Sequence, residues 1–199
     1  MQSYIVMDRL RERFLASRLI LPEEFYQKAD QFARMLLSWN KIHNLSGAKE
    51  MHEVERHIFD SIFPLSFLED FKTALDIGSG AGFPALPLAM AKSRASFTLV
   101  EPLAKRSSFL QFAAMTLQLE NVTVIDKRIE QAPIMAFDLI TSRAVSDAKT
   151  IYDLALPFMN SATILLLYKG KKSAIEADAI GAETIEAAHS NYLVAKRRA

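Results

Sequence analysis

The fold of this chain is decided by the stretch Leu75-Asp76-Ile77-Gly78-Ser79-Gly80-Ala81-Gly82-Phe83-Pro84. It opens as an apolar run that predicts a buried strand, passes through three alternating glycines and leads into a helical pattern. Glycine adopts positive φ and allows a ligand to come close to the backbone. Ligands of open α/β sheets bind beyond the carboxyl ends of such strands, so the stretch predicts a binding loop that includes Gly78 and Gly80.

The spacing of the glycines restricts the ligand. A dinucleotide-binding loop has the pattern Gly-x-Gly-x-x-Gly, and Phe83 stands here at the position of its third glycine. The loop also lacks the Gly-Lys-Ser/Thr ending of a P-loop. Pro84 and Pro87 remove N–H donors from the start of the following helix, and a pyrophosphate needs those donors. The loop therefore favours a less charged ligand; the alternative is an ordinary tight turn with packing glycines.

Strands and helices alternate after residue 72. Apolar runs predict strands at residues 73–77, 97–100, 122–125, 137–140 and 163–168. Helical patterns separate them at residues 84–92, 104–118, 147–157 and 171–180. This order predicts an α/β fold with a parallel sheet covered on both faces. Residues 183–188 and 192–196 predict a closing hairpin around His189-Ser190-Asn191.

Before residue 72 the pattern is helical. Pro22, Glu23 and Glu24 predict a helix start, because proline suits the first turn and acids suit the positive end of the helix dipole. This helix should end near residues 40–44, and Pro64 should stop or kink a second one. The apolar faces carry Phe25, Ala29, Phe32, Leu36, Trp39, Val54, Ile58, Ile62 and Leu65. We expect one domain, residues 1–199, with a helical N-terminal extension at 1–70 and an α/β core at 71–199.

Composition excludes several classes of protein. Lys and Arg number 24 and Asp and Glu 23 in 199 residues, so the chain is not a polycation, although a local basic patch is compatible with this balance. There is no cysteine, which excludes disulfides, thiolate metal sites and a cysteine nucleophile; we expect no metal. No apolar run approaches the roughly 20 residues of a membrane span, and the N-terminus lacks a secretory pattern. We expect a cytoplasmic protein with no membrane contact.

Two acidic positions and one loop indicate the ligand. Asp76 is a charge at the end of a buried strand and needs a partner. Glu101 ends the second strand, where an acid accepts both hydroxyls of an adenosine ribose; the alternative is a solvated or capping charge. Ile129 and Glu130 follow the third strand, where an adenine ring would lie unless this is a charged surface loop. Together these positions suggest S-adenosylmethionine in a Rossmann-like, class I methyltransferase fold.

An ordered series of motifs runs from about residue 22 to residue 170. It comprises Asn44-Leu45-Ser46, Arg56-His57-Ile58-Phe59-Asp60-Ser61, the glycine loop, Leu103-Ala104-Lys105-Arg106, Thr141-Ser142-Arg143-Ala144 and Lys169-Gly170. The series resembles the bacterial small-subunit (16S) rRNA guanine-N7 methyltransferases, the glucose-inhibited division protein B family. The resemblance implies S-adenosyl-L-methionine bound at Gly78, Phe83, Ile129, Glu130 and Arg143, with Glu101 on the ribose. It also implies methyl transfer to N7 of guanosine 527 in the 530 loop of 16S rRNA, with 16S rRNA or a small-subunit ribosomal particle as the partner of a monomer.

The chemistry of this reaction fits the residues. Guanine N7 carries a lone pair and no proton, so its methylation needs alignment and desolvation rather than a general base. Arg56, His57, Asp60 and Arg143 are candidates for positioning the substrate, and no catalytic residue is assigned. The alternatives are an i,i+4 ion pair between Arg56 and Asp60, a structural hydrogen bond from His57 and a surface salt bridge from Arg143. Arg143 could also hold the methionine carboxylate, a phosphate or the base edge.

Other functions stay open at this point. A class I methyltransferase acting on a small molecule and a non-catalytic S-adenosylmethionine-binding assembly factor are the alternatives; the glycine spacing disfavours a nicotinamide dehydrogenase. RNA binding would need phosphate contacts. The basic candidates are Arg9, Arg11, Arg13, Arg18, Lys105, Arg106, Lys127, Arg128, Lys169, Lys171, Lys172, Lys196, Arg197 and Arg198.

Overall fold

The computed structural model describes residues 2–143, 145–170, 174–187 and 190–197, without the side chains of residues 2–6 and 174. Three of the basic candidates, Lys171, Lys172 and Arg198, lie outside the described residues, as does His189 of the predicted closing turn. Ala144 of the fifth motif also lies outside them.

The sheet has seven strands in the order β3-β2-β1-β4-β5-β7-β6. Neighbouring strands among β1 to β5 pair in parallel, and β7 pairs antiparallel with β5 and β6, which confirms the parallel core and the closing hairpin. The chain leaves β1 towards β2 and β3 on one side and returns to β4 on the other, so β1 and β4 flank the topological switch point where ligands bind. The strands are β1 (Thr73–Ile77), β2 (Ser96–Val100), β3 (Val122–Ile125), β4 (Leu139–Arg143), β5 (Ile164–Lys169), β6 (Glu183–Glu186) and β7 (Asn191–Lys196).

Seven α-helices surround the sheet in the described part of the chain. Pro22 precedes α2, which ends where Asn44 takes a left-handed φ of 45°, and α3 gives way at Phe63 to a 3₁₀ turn that contains Pro64. Both predicted boundaries are therefore confirmed. The helices are α1 (Gln2–Ala16), α2 (Glu23–His43), α3 (Met51–Ile62), α4 (Ala85–Ala91), α5 (Ala104–Thr116), α6 (Ala148–Ala155) and α7 (Ala174–Ile180).

Each face of the sheet carries its own apolar core. Helices α1 to α5 cover one face, and α6 and α7 cover the other, so alternate residues of β1 such as Ala74 and Leu75 belong to different cores. On the first face Phe32 of α2 meets the Phe83 ring edge-on at 5.4 Å between centroids. This contact holds the N-terminal helices against the end of the glycine loop.

Two details differ from the sequence predictions. The first fifteen described residues form a separate helix, α1, which the pattern did not delimit. The fourth strand begins at Leu139, two residues later than predicted, because Asp138 accepts hydrogen bonds from the backbone N–H groups of Lys72 (2.8 Å) and Thr73 (2.9 Å) at the start of β1. No helix within the described ranges combines the length and apolarity needed to span a bilayer.

Candidate functional site

The glycine loop occupies the carboxyl end of β1 at the switch point. Gly78, Gly80 and Gly82 have φ of 72°, 55° and 93°, a region that other residues rarely adopt. The Gly78 N–H donates to the carbonyl oxygen of Val100 at 2.9 Å, which ties the loop to the end of β2. A Cβ added to Gly78 would lie 2.5 Å from Cγ2 of Val145. The backbone conformation favours glycine here, and a Cβ would also require the Val145 side chain to move.

Glu101 fixes the loop from the end of β2. Its residue is 2 % exposed, and its Oε2 accepts the Gly80 N–H at 2.8 Å while Oε1 accepts the Leu103 N–H at 2.9 Å. Each carboxylate oxygen has two lone pairs, so both keep an acceptor site after these bonds. The side chain can therefore hold the loop and still accept two hydroxyls of a sugar.

Asp76 lies beneath the loop, between β1 and β4. Its Oδ1 accepts the Thr141 hydroxyl at 2.6 Å, whereas its Oδ2 is buried with no hydrogen-bond partner among the residues the structure describes. Burial raises the pKa of this carboxyl to about 7, and the nearby charge of Glu101 acts in the same direction. Asp76 supports the loop from behind and does not line the cavity above it.

A cavity of about 480 Å³ lies above the loop, and we call it the cofactor cavity. Its walls bring together six of the predicted site residues: His57, Gly78, Gly80, Phe83, Glu101 and Arg143. The structure does not place Ile129 or Glu130 on these walls. Ile129 is buried in the core under the second sheet face, and Glu130 is exposed.

Several lining residues were not predicted to contact the cofactor. Arg106, predicted only as a basic candidate for RNA contact, lines the cofactor cavity near the start of α5, and Leu45 and Ser46 line it from the loop after α2. Ser46 is held by Asn40, whose amide donates to its hydroxyl at 2.8 Å and whose carbonyl oxygen accepts its N–H at 3.0 Å. The Asn44-Leu45-Ser46 motif was the only indication of this wall.

Arg143, at the end of β4, meets helix α3. Its Nη2 donates to Nδ1 of His57 at 2.8 Å and lies 3.7 Å from Oδ2 of Asp60. Its Nη1 is buried without a partner in the described part of the chain. The i,i+4 ion pair of Arg56 with Asp60, one of the alternatives above, is not among the ion pairs of the described residues, because Asp60 faces Arg143 across the helix–sheet boundary. A buried guanidinium N–H without an acceptor is costly, so this geometry fits an anionic ligand.

His57 is neutral at physiological pH. Burial, together with the smaller effect of the Arg143 and Arg56 charges, lowers its pKa to about 4. Because Nδ1 accepts from Arg143, the single ring proton of the neutral form belongs on Nε2. The ring packs against Phe83 at 5.2 Å between centroids. His57 therefore orients Arg143 rather than exchanging protons with a substrate at pH 7.

A second cavity of about 260 Å³ adjoins the first, and we call it the side cavity. His57 and Arg143 line both cavities, so the two cavities adjoin at these side chains. The remaining walls of the side cavity come from Arg56, Asp60, Tyr168, Lys169, Gly170 and Ser190. No group of three or more metal-ligating side chains converges there or elsewhere in the described residues.

Comparisons with known proteins agree with this geometry. A family model described as rRNA small subunit methyltransferase G matches residues 25–197. The ribosomal RNA small subunit methyltransferase G of Helicobacter hepaticus is 47% identical over 167 residues, 82% of this chain and 90% of that protein. The protein of the same name from Aliarcobacter butzleri is 35% identical and covers 95% of this chain and 94% of its own length.

The solved structures show the fold. A putative O-methyltransferase from Klebsiella pneumoniae superposes with a TM-score of 0.61 at 16% identity and covers 94% of this chain and 96% of its own. At this identity the similarity establishes a shared class I methyltransferase architecture.

Proposed function

Because the chain belongs to the rRNA small subunit methyltransferase G family, we propose that it transfers a methyl group from S-adenosylmethionine to N7 of guanosine 527 in the 530 loop of 16S rRNA. One observation carries the assignment of the site. Arg143, whose Nη1 has no partner among the described residues, and Glu101, whose oxygens each keep a free acceptor site, line one cavity with the glycine loop. An amino-acid nucleoside needs a cation for its carboxylate and a hydrogen-bond acceptor for its sugar hydroxyls, and this cavity offers both.

Different residues of this protein would bind different parts of the cofactor. Arg143 would pair with the methionine carboxylate, which supplies the acceptor that Nη1 lacks. Glu101 would accept the ribose hydroxyls, and Gly78 and Gly80 leave room for the ligand against the backbone. Contacts of Ile129 and Glu130 with the adenine stay a prediction.

The residues around the two cavities suit a reaction that moves no proton. The cofactor supplies a methyl group on a sulfonium and leaves as a neutral thioether. The N7 lone pair forms the new bond, so no side chain has to act as a base, and His57 is held neutral by burial and by Arg143. Phe83 and His57 form an apolar wall that excludes water. The protein would therefore act by aligning N7 with the sulfonium methyl and by removing water from both.

The RNA partner would meet the carboxyl edge of the sheet. Lys105 and Arg106 open α5 and Lys127 and Arg128 follow β3, which places four basic residues next to the cofactor cavity. Arg56 adds a fifth at the side cavity. With 16S rRNA or a small-subunit particle as the partner, the protein would act as a monomer in the cytoplasm.

The proposal is tested on ribosomal RNA from a strain that lacks the gene. Small subunits and naked 16S rRNA from that strain are incubated with the protein and methyl-labelled S-adenosylmethionine. We expect label in 16S rRNA and strand cleavage specific for N7-methylguanosine at position 527. Binding of cofactor without label in either RNA would refute methylation and leave the small-molecule enzyme or the assembly factor.

A further inference from the structure

The side cavity has the chemistry of a guanine site. We propose that it holds the base of the extruded target guanosine, and that the Asp60 carboxylate accepts hydrogen bonds from guanine N1–H and the 2-amino group. This inference rests on the proposed function and adds the residue that selects the base. Enzymes that modify a base inside folded nucleic acid take it out of its stack into a pocket of this kind.

The orientation of Asp60 is fixed by its surroundings. The residue is 5 % exposed, and its carboxylate is reached by the Ser190 hydroxyl, which donates to Oδ2 at 2.9 Å, and by Arg143, 3.7 Å from the same oxygen. The backbone carbonyl of Asp60 accepts the Tyr192 hydroxyl at 3.0 Å. Both described partners of the carboxylate contact Oδ2. The carboxylate can therefore still accept hydrogen bonds from a ligand in the side cavity, which it lines.

The Asp60 carboxylate only accepts hydrogen bonds, so it distinguishes guanine from adenine. Guanine presents two donors side by side at N1 and at its 2-amino group, which match a carboxylate. Adenine presents a lone pair at N1 and has no 2-amino group, so the acceptor sites of Asp60 that Ser190 leaves free would have no donor in a buried position. A site built to accept hydrogen bonds rejects a ligand that lacks the donors, because the buried group then stays unpaired.

The same contact orients the reacting atom. N7 lies on the edge of the purine opposite N1 and the 2-amino group, so a base held by Asp60 keeps its N7 lone pair free. Arg143 and His57 form the boundary between the side cavity and the cofactor cavity. The base in the side cavity and the methyl donor in the cofactor cavity would therefore meet at these two residues.

The charges at the rim suit the phosphate of the extruded nucleotide. Arg56 is exposed, lines the side cavity and forms no ion pair with another described residue. Lys169, by contrast, is engaged by Glu176 at 2.7 Å and by the carbonyl of Ser146 at 2.7 Å. Among the described residues of this rim, Arg56 is the cation without an ion-pair partner, and the nucleotide's phosphate would supply the anion.

The experiment compares guanosine with inosine at the target position. Inosine keeps N7 and N1–H but lacks the 2-amino group. Small subunits are reconstituted with 16S rRNA carrying either base, and kcat/KM for methyl transfer is measured. For the wild-type protein we expect kcat/KM to be about tenfold lower on inosine, the effect of losing one hydrogen bond to a charged acceptor.

The variant Asp60→Ala separates recognition from support of Arg143. Its kcat/KM should fall on both bases, but the ratio between guanosine and inosine should approach one, whereas the control Asp153→Ala, on the exposed face of α6, should keep the wild-type ratio. Circular dichroism and a cooperative urea unfolding transition report that the variant is folded.

Two results would overturn the inference. One is a wild-type ratio of one, a measurement that needs no variant. The other is an Asp60→Ala protein that is slower on both bases with the tenfold ratio intact, which would make Asp60 only a support for Arg143. Absence of transfer to guanosine itself by the wild-type protein would instead refute the proposed function, and the guanine site with it.

Discussion

Arg143 joins three parts of the molecule through a single guanidinium. Its Nη2 donates to His57 of α3 and faces Asp60, its Nη1 is buried with no partner among the described residues, and the residue lines the cofactor cavity. The Phe83 ring of the glycine loop lies 5.9 Å below the charge. Because a buried cation needs paired anions, ligand binding at one nitrogen and the carboxylate at the other stabilise the same residue.

Gly78 tests the location of the cofactor. In Gly78→Val the added side chain would stand where Val145 packs, on a backbone with a φ of 72°. We expect affinity for S-adenosylhomocysteine, measured by isothermal titration calorimetry, to fall more than tenfold. The control Gly47→Val, at an exposed glycine with no atom within 4 Å of an added Cβ, should bind normally. Normal binding by Gly78→Val would place the cofactor elsewhere.

Asp76 makes stability depend on pH. Its folded pKa of about 7 lies above the ordinary aspartate value of 3.8, so between these pH values the folded protein keeps a proton that the unfolded chain releases. The stabilisation is complete below about pH 4 and is lost as the pH rises through 7. Asp76→Asn cannot ionise. Its unfolding free energy minus that of the wild type should therefore be about 2 to 3 kcal/mol larger at pH 8 than at pH 5.

The difference in unfolding free energy between Asp76→Asn and the wild type isolates the contribution of the Asp76 carboxyl. His57, whose lowered pKa of about 4 makes stability fall as the pH drops below 6.5, is present in both proteins, so its contribution cancels. Urea unfolding at the two pH values gives the result. A difference that is equal at pH 5 and pH 8 would show that the Asp76 carboxyl is not raised by burial.

At the level of elements, helices α1 to α3 hold one wall of the site. Phe14 of α1 is fully buried and meets the rings of Phe25 at 5.8 Å and Phe59 at 5.3 Å. Phe59 lies in α3, the helix that presents His57 and Asp60. We therefore expect the N-terminal extension and the α/β core to unfold together as one domain.

Phe14→Ala tests this expectation. The lost ring contacts and the cavity should lower the unfolding free energy by about 3 to 5 kcal/mol, whereas the control Leu15→Ala, 54% exposed on the same helix, should change it by less than about 1 kcal/mol. Urea unfolding is followed by circular dichroism and by fluorescence of Trp39, the single tryptophan. Two separated transitions would contradict a single domain.

Helices and strands were predicted best where a single hydrophobic periodicity dominated the sequence. The bounds of β1 and β3 agree with the predicted runs, because both are short apolar segments between turn residues. The start of β4 was displaced by Asp138, which bonds to a segment 65 residues earlier. Contacts of this kind depend on the tertiary fold and leave no local pattern.

The same limit applies to the site. The glycine loop and Glu101 are local features at strand ends, so their places could be predicted. The bond from Arg143 to His57 joins residues 86 positions apart, and only the packing of α3 against the sheet decides it. Arg106 was predicted only as a candidate for RNA contact, because a helix pattern does not show which cavity a residue lines.

At the scale of the whole molecule, RNA binding must come from a local patch, because the net charge is only +1. Lys127 and Arg128 are exposed at the carboxyl edge, beside the cofactor cavity. The double variant Lys127→Glu with Arg128→Glu should weaken binding to 16S rRNA and reduce the slope of log Kd against log salt by about 1 to 2.

A matched pair of charges controls for this effect. Lys72 and Arg94 are exposed and precede β1 and β2, at the opposite edge of the sheet. Lys72→Glu with Arg94→Glu changes the net charge equally and should leave the salt slope unchanged. Filter binding between 50 and 200 mM KCl measures both. Equal weakening by the two double variants would favour a diffuse electrostatic effect over a patch at the site.

A crystal structure with S-adenosylhomocysteine tests the central claim most directly. The account predicts the nucleoside in the cofactor cavity, with its carboxylate on Nη1 of Arg143, its ribose hydroxyls on Glu101 and its sulfur facing the boundary at His57. A saturated crystal with this cavity empty, or with the nucleoside bound away from the carboxyl ends of β1 and β2, would contradict it.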